Sequence, residues 1–218
     1  YIFSDKTGTL TQNVMEFMKC SIEGVSYGTG VTEVARAAAL RQGRTVASPR
    51  SSQPEGMVLE PGNNFYDPRI SLGAWVGHDE SGAISRLFVL LAVCHTVSST
   101  TLQWDEDDPG AWQTDNLKYQ ASSPDEEALV MGARGSGFVF IRRLYDELTI
   151  EVRGVREQYT VLATNEFSSE RKRMSCVVHC PDGRAKVLCK GADSVMFERL
   201  TSHKPDLLHR TRQHIQGY

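Results

Sequence analysis

Between residues 138 and 190 the sequence is punctuated in a way that leaves few folds open. Runs rich in β-branched and aromatic residues, at roughly 138–142, 148–153 and 158–164, follow one another through short polar turns. Two more runs, 173–180 and 184–190, flank Pro181-Asp182-Gly183 and predict a hairpin. Ser123-Pro124-Asp125-Glu126 opens a helix expected to end near Gly135, and further helices are expected after Asp193 and after Asp206. Strands in close succession, with helices set before and after them, predict an α+β fold: an antiparallel β-sheet flanked by helices. No internal repeat is visible.

The first half is looser. Residues 14–27 mix β-branched and aromatic residues around Gly24 and predict a strand or hairpin, and 33–41 predicts a brief helix. Ile84, Leu87, Phe88, Leu91, Cys94 and His95 fall at helical spacing, so 82–96 is expected to form an amphipathic helix against a sheet. His95 continues that stripe and reads as a satisfied core or boundary histidine, since no second metal-type residue sits at helical spacing beside it. Pro49, Pro54 and Pro61 among serines and glycines mark 44–64 as a flexible insertion. Residues 99–117, with Asp105-Glu106-Asp107-Asp108, predict a solvated acidic loop that lacks the oxygen-ligand pattern of a calcium-binding loop. Gly132, Gly135 and Gly137 reverse the dinucleotide fingerprint and follow a helix, which predicts a C-cap and turn; there is no Walker A string.

Composition narrows the function classes. The 218 residues suffice for a real core, and 40% hydrophobic with 23% charged residues exclude wholesale disorder, collagen and coiled coil. A net charge of −3 gives no bulk polyanion-binding surface, so nucleic acid is not an expected partner. The longest apolar stretch, 87–94, falls far short of the ~20 residues of a membrane-spanning helix. The chain starts at Tyr1 without a basic segment leading into an apolar one, and is expected to be a cut-out fragment. Five cysteines, an odd number without CxxC spacing, suit reduced thiols in a cytosolic compartment.

Four strings carry chemistry-bearing residues. Asp5-Lys6-Thr7-Gly8-Thr9-Leu10-Thr11 follows the apolar Tyr1-Ile2-Phe3, which puts a carboxylate at the carboxyl end of a short strand, where open α/β sheets hold their sites. Such a carboxylate can attack a phosphoryl group and form an aspartyl phosphate. Lys6 supplies charge, Gly8 room for close approach, and Thr9 or Thr11 a hydroxyl. On residue types alone, a surface turn fits equally well. Ser123-Pro124-Asp125-Glu126 has the order of a capping box, worth on the order of 1 kcal/mol. Phe167, in Asn165-Glu166-Phe167-Ser168-Ser169-Glu170-Arg171-Lys172-Arg173-Met174-Ser175, has little apolar company. It either folds back onto the core or presents a face on which a purine can stack, worth ~1–3 kcal/mol per base in nucleic-acid systems. In Lys190-Gly191-Ala192-Asp193, Lys190 shares a strand face with Leu188 and emerges beside a glycine, as an edge lysine or as a cation for a nucleotide's phosphate or base.

DKTGTLT is the phosphorylation signature of P-type ATPases, and the sequence resembles that family from Asp5 through Arg199, with 44–64 and 99–117 departing as insertions. The resemblance implies that Asp5 is the phosphorylated nucleophile and that Mg²⁺ is held by the Asp5 carboxylate and the Thr7 backbone carbonyl. It also counts Asp5, Lys6 and Thr7 among the residues that meet the cofactor. In related haloacid-dehalogenase-type phosphatases an Asp stands where Thr7 stands and acts as general acid/base. Threonine cannot take that role, which implies a phosphoenzyme that survives until a conformational change brings in the hydrolytic machinery.

The other strings resemble the phospholipid-translocating branch. There the string matching Ser123 to Glu126 marks the nucleotide-binding domain, and its Glu contacts the adenine side of ATP, so Glu126 caps, binds, or does both. The string around Phe167 is similar to the adenine-pocket motif, with Ser169 and Lys172 matching positions near the nucleotide; Arg171 and Arg173 fit a solvated basic turn as well. Lys190 heads the family's KGA signature, an ATP contact, with Asp193 where ion pumps usually carry Pro-Glu.

The expectation is therefore a P-type ATPase nucleotide-binding domain over 14–218, preceded at 1–13 by a truncated start of a haloacid-dehalogenase-like phosphorylation domain. The later motifs TGDK and DGxND, the membrane helices and the actuator are absent, which marks a piece. Its implied parent is an integral membrane protein with this region cytoplasmic. The parent would hydrolyse ATP with Mg²⁺ through an aspartyl phosphate on Asp5, coupled to moving a phospholipid between leaflets, with lipid selection in membrane segments outside this chain and room for an accessory membrane subunit. The alternatives are the same region of an ion-pumping P-type ATPase, a stand-alone ATP-binding module without turnover, and a soluble phosphatase, which Thr7 disfavours. The chain alone is expected to bind ATP without turnover, with residues 1–11 poorly ordered.

Overall fold

A computed structural model describes residues 14–31, 33–43, 63–101, 117–201 and 204–218. The expectations for 1–13, for most of the 44–64 insertion and for the middle of the 99–117 loop lie outside the described residues.

The first strands among the described residues form a hairpin of β1 (Cys20–Ile22) and β2 (Val25–Tyr27). Its two turn residues, Glu23 and Gly24, both have positive φ, the conformation that lets a two-residue turn follow the twist of its strands. Helix α1 (Glu33–Arg41), a 3-10 segment (Ser71–Gly77) and helix α2 (Ser81–Val93) follow. Then come the paired strands β3 (Ser98–Thr101) and β4 (Leu117–Gln120), and helix α3 (Pro124–Gly135).

The densest part is a five-stranded antiparallel meander in sequence order: β5 (Phe138–Leu144), β6 (Glu147–Val152), β7 (Val155–Asn165), β8 (Arg173–His179) and β9 (Ala185–Gly191). The β6–β7 turn repeats the opening device with Arg153 and Gly154, both at positive φ. Helices α4 (Asp193–Phe197) and α5 (Pro205–Gly217) close the chain. The expected α+β fold, the 173–190 hairpin and the helix starts at Pro124 and Asp193 are all found. The described strands form three antiparallel sheets, not one.

The core lies where α2 and α3 pack on each other and on β5. α2 contributes Ile84, Phe88 and Leu91, α3 contributes Val130 and Ala133, and the strands contribute Phe138, Phe140, Leu148 and Ile150. The Phe138 ring stacks between Trp75 at 5.1 Å and Phe88 at 5.6 Å. Each of these large apolar side chains is worth about 1.5–3 kcal/mol in transfer from water.

Three boundaries differ from expectation. α2 ends at Val93, not near 96, and Cys94 and His95 lie in a bend. The helical stripe runs on in sequence because the bend faces the same core: Cys94 and His95 are both buried. The ends of the expected acidic loop are strands β3 and β4. Asn63, at the end of the expected insertion, is buried and bridges Phe17 in parallel. Gly132 and Gly135, read as cap and turn, are helical positions pressed against other chain segments: a Cβ on Gly132 would lie 2.5 Å from the Phe17 ring, and one on Gly135 would collide with Asn63. Gly137, at φ +89, does make the turn.

Candidate functional site

Strand register gathers two of the singled-out strings, 165–175 and 190–193, at one end of the meander. Asn165 pairs with Ser175 and Arg173 with Gly191, so β7 ends, β8 begins and β9 ends at the same edge. Lys190 lies opposite Met174, and Leu188 opposite Cys176. Met174 and Cys176 are buried, so Lys190 faces the core side with Leu188, as the period of two predicts. Its neighbourhood is not that of an edge lysine, because the side chain is only 14% exposed.

The partner of Lys190 comes from α3. Its Nζ is 2.8 Å from Glu126 Oε1, and Glu126 is likewise only 14% exposed. Neither atom makes a further hydrogen bond among the described residues. The Thr96 hydroxyl donates to Glu126 Oε2 at 2.5 Å and the Thr96 amide donates to the same oxygen at 3.2 Å. Burial pushes the Glu126 carboxyl up, but Lys190 and Thr96 outweigh it and hold the group below its ordinary value. Glu126 is therefore an ionised acceptor at neutral pH.

This arrangement corrects the capping-box reading. Ser123 stands at the N-cap with extended φ −118° and ψ 124°, and Pro124 opens the helix, but no side chain caps the end. Glu126 turns outward to Thr96 and Lys190 instead of back to Ser123, since an almost buried ammonium is a stronger partner than a backbone N–H near solvent. Thr96 was legible in the sequence only as the residue after the helical stripe, and nothing in its spacing marked it.

The loop from β7 to β8 carries the remaining residues. Phe167 is 61% exposed, so the aromatic face is presented and not folded into the core. Ser169 lies exposed in a turn, and Lys172 is exposed in the left-handed region at φ 50°. Arg171 donates to the Glu166 carbonyl at 3.2 Å and Arg173 to the Arg171 carbonyl at 3.2 Å, so both arginines brace the loop instead of forming a free basic turn. The Ala192 amide donates to the Lys172 carbonyl at 2.9 Å and ties the loop to the exit of β9. Gly191 makes this contact feasible: a Cβ there would sit 2.5 Å from Arg173 Cβ and 2.6 Å from the Lys172 carbonyl.

The structure thus joins Glu126 directly to Lys190, and brings Lys172 to the exit of β9, with Phe167 and Ser169 on the same loop. Asp5, Lys6 and Thr7 lie outside the described residues. A groove of about 640 Å³, walled by residues 96–100, by Phe140 and by Arg142 to Tyr145, adjoins the site and shares only Thr96 with it.

A family model described as "P-type ATPase, cytoplasmic domain N" matches residues 87–211, more than half of the chain and the whole of this site. The chain belongs to the P-type ATPases. Within that family it is 45% identical over 228 residues to Probable phospholipid-transporting ATPase 12 of Arabidopsis thaliana, covering 100% of this chain and 18% of that protein. It is 44% identical over 206 residues to Phospholipid-transporting ATPase IC of Xenopus tropicalis, covering 94% of this chain and 15% of that protein. With Phospholipid-transporting ATPase DNF1 of Saccharomyces cerevisiae the identity is 36% over 249 residues, covering 100% and 15%. The chain spans less than a fifth of the length of these P-type ATPases. Among its described residues no helix is long and apolar enough to cross a membrane.

Proposed function

We propose that this chain is the ATP-binding and phosphorylation-site portion of a phospholipid-translocating P-type ATPase. Residues 14–218 form its nucleotide-binding domain and 1–13 begin its phosphorylation domain. The observation that carries the reading is the Lys190–Glu126 pair, a nearly buried ammonium with one carboxylate partner, at the end of the sheet from which the β7–β8 loop carries Phe167 with its aromatic face offered to solvent. That set fits a nucleotide, with Phe167 stacking on the adenine ring, Glu126 accepting from its amino group, and Lys190 offering charge to the base or phosphates. Ser169 and Lys172 line the approach from the loop.

Asp5 is the nucleophile that accepts the phosphoryl group, splitting the transfer into two steps. The Asp5 carboxylate and the Thr7 carbonyl would hold Mg²⁺, which would neutralise charge on the transferred phosphoryl group, and Lys6 would add positive charge for the same phosphates. The Mg²⁺ assignment rests on the DKTGTLT string alone. The names of the relatives support coupling of turnover to phospholipid movement in an integral membrane parent, with this region on its cytoplasmic side. An accessory membrane subunit is compatible with this reading.

The test is ATP hydrolysis by the intact parent protein reconstituted in vesicles. Turnover stimulated by phospholipid and abolished by Asp5→Asn is the expected result. Turnover indifferent to phospholipid but dependent on a transported cation would replace this reading with an ion pump.

A further inference from the structure

Strands β3 and β5 lie against each other without forming one sheet. β5 is an edge strand of the meander and β3 belongs to the separate β3–β4 pair, and among the described residues no backbone hydrogen bond joins the two. Side chains bridge them instead: the Ser99 hydroxyl donates to the Ile141 carbonyl at 2.7 Å, and the Tyr119 hydroxyl of β4 donates to the Phe140 carbonyl at 2.7 Å. The groove of about 640 Å³ lies at this seam.

One wall of the groove is a strand edge. Leu144 pairs with Glu147 across a two-residue turn, and Arg142 pairs with Thr149. The bonds to β6 fall to these two residues, so the N–H and C=O of Arg143 between them point away from β6. The same wall is basic. Arg142 and Arg143 both line it, from opposite faces of the strand, and among the described residues no acidic side chain does. Among those residues the one hydrogen bond of the Arg143 side chain runs from Nε to the Tyr145 carbonyl at 3.4 Å, which leaves both Nη groups for a ligand. At the tip of the wall Leu144 is 49% and Tyr145 97% exposed, so apolar surface is offered beside the charge.

We propose that this groove docks an extended acidic segment of a partner protein, added as a strand along the β5 edge, with consecutive carboxylates on Arg143 and Arg142 and apolar side chains against Leu144 and Tyr145. An added strand alternates faces as β5 does, so two acids in succession meet two arginines in succession, and opposite charges across a strand pair attract. A small anion would use the guanidinium groups alone and leave the strand edge and the apolar tip idle, which favours a peptide.

The experiment is a fluorescence-anisotropy titration of the chain with a labelled peptide, Thr-Val-Thr-Glu-Glu-Thr-Val-Thr, against the same peptide with Lys-Lys at its centre. Wild type, Arg143→Gln and Arg143→Glu are compared, each checked for a cooperative melting transition. Wild type is expected to bind the Glu-Glu peptide at least about tenfold more tightly than the Lys-Lys peptide, with an affinity that falls as salt rises. Arg143→Gln is expected to weaken Glu-Glu binding about threefold or more, and Arg143→Glu to reverse the preference, which a merely structural role would not do. Equal affinity for the two peptides, or a preference unchanged in Arg143→Glu, overturns the proposal. Displacement of the peptide by inorganic phosphate at comparable concentration overturns it in favour of a small-anion site. Absence of Glu-Glu binding by the folded wild type overturns it too; binding that then emerges when Asp105, Glu106, Asp107 and Asp108 are replaced by their amides assigns the groove to the chain's own acidic segment.

Discussion

Lys190 and Glu126, one at the end of the last sheet strand and the other in the first turn of α3, meet at 2.8 Å with only 14% of either side chain exposed. The pair fastens a helix to the sheet and sets the charge of the site in one contact. Replacing Lys190 with Met leaves a largely buried carboxylate without its cation. The expected cost is about 1–3 kcal/mol, less than for a fully buried pair, and Lys190→Met with Glu126→Gln recovers part of it. Urea unfolding of the two variants at pH 7 checks this.

The buried His95 makes stability depend on pH. Burial, set against the Ala92 carbonyl that raises it, pushes the imidazole down to about 4 from 6.5. The unfolded chain then binds a proton in the interval where the folded one does not. The stabilisation is fully present above 6.5 and is lost as pH falls from there towards 4, amounting to about 3 kcal/mol at most. Urea midpoints between pH 7.5 and pH 4.5 measure the slope, and His95→Asn should flatten it. A slope unchanged in His95→Asn contradicts the assignment.

Much of this was legible in the sequence, and the misses share a cause. The meander could be read because turn residues and alternating strands are local signals: Arg153-Gly154 and Pro181-Asp182-Gly183 sit where the chain reverses. Glu126, Phe167 and Lys190 were legible as strings resembling a family. The exposure of Phe167 was one of two readings its polar neighbours left open, and the Lys190–Glu126 bond was not legible at all, because it depends on how α3 packs against the sheet. Thr96 was invisible for the same reason, and so was the failure of the capping box, where a tertiary partner outcompetes a local one.

Asp67 marks what is structural and not part of the site. Its side chain, 3% exposed, accepts from Gly28 N at 2.9 Å and from Arg69 at 2.7 and 2.9 Å. Asp67→Ala strands these donors and is expected to cost about 2–4 kcal/mol, with nucleotide affinity of the folded fraction unchanged. Thermal melting and ATP titration of the same sample separate the two effects.

Gly191 holds the loop to the sheet. Gly191→Ala puts a Cβ against Arg173 and the Lys172 carbonyl, and the strain is expected to cost about 1–3 kcal/mol. Release of the Ala192–Lys172 bond should also weaken ATP binding, since Phe167 rides on that loop. Amide exchange at Ala192, protected in wild type and fast in the variant, reports the release directly.

The proposed nucleotide site requires both Phe167 and Lys190. Calorimetric titration of the chain with ATP, beside Phe167→Ala and Lys190→Ala, tests it most directly. Wild-type binding between about 1 µM and 1 mM is expected, lost in both variants while each remains folded. Binding that persists in both folded variants, or no binding by a folded wild-type chain, contradicts it.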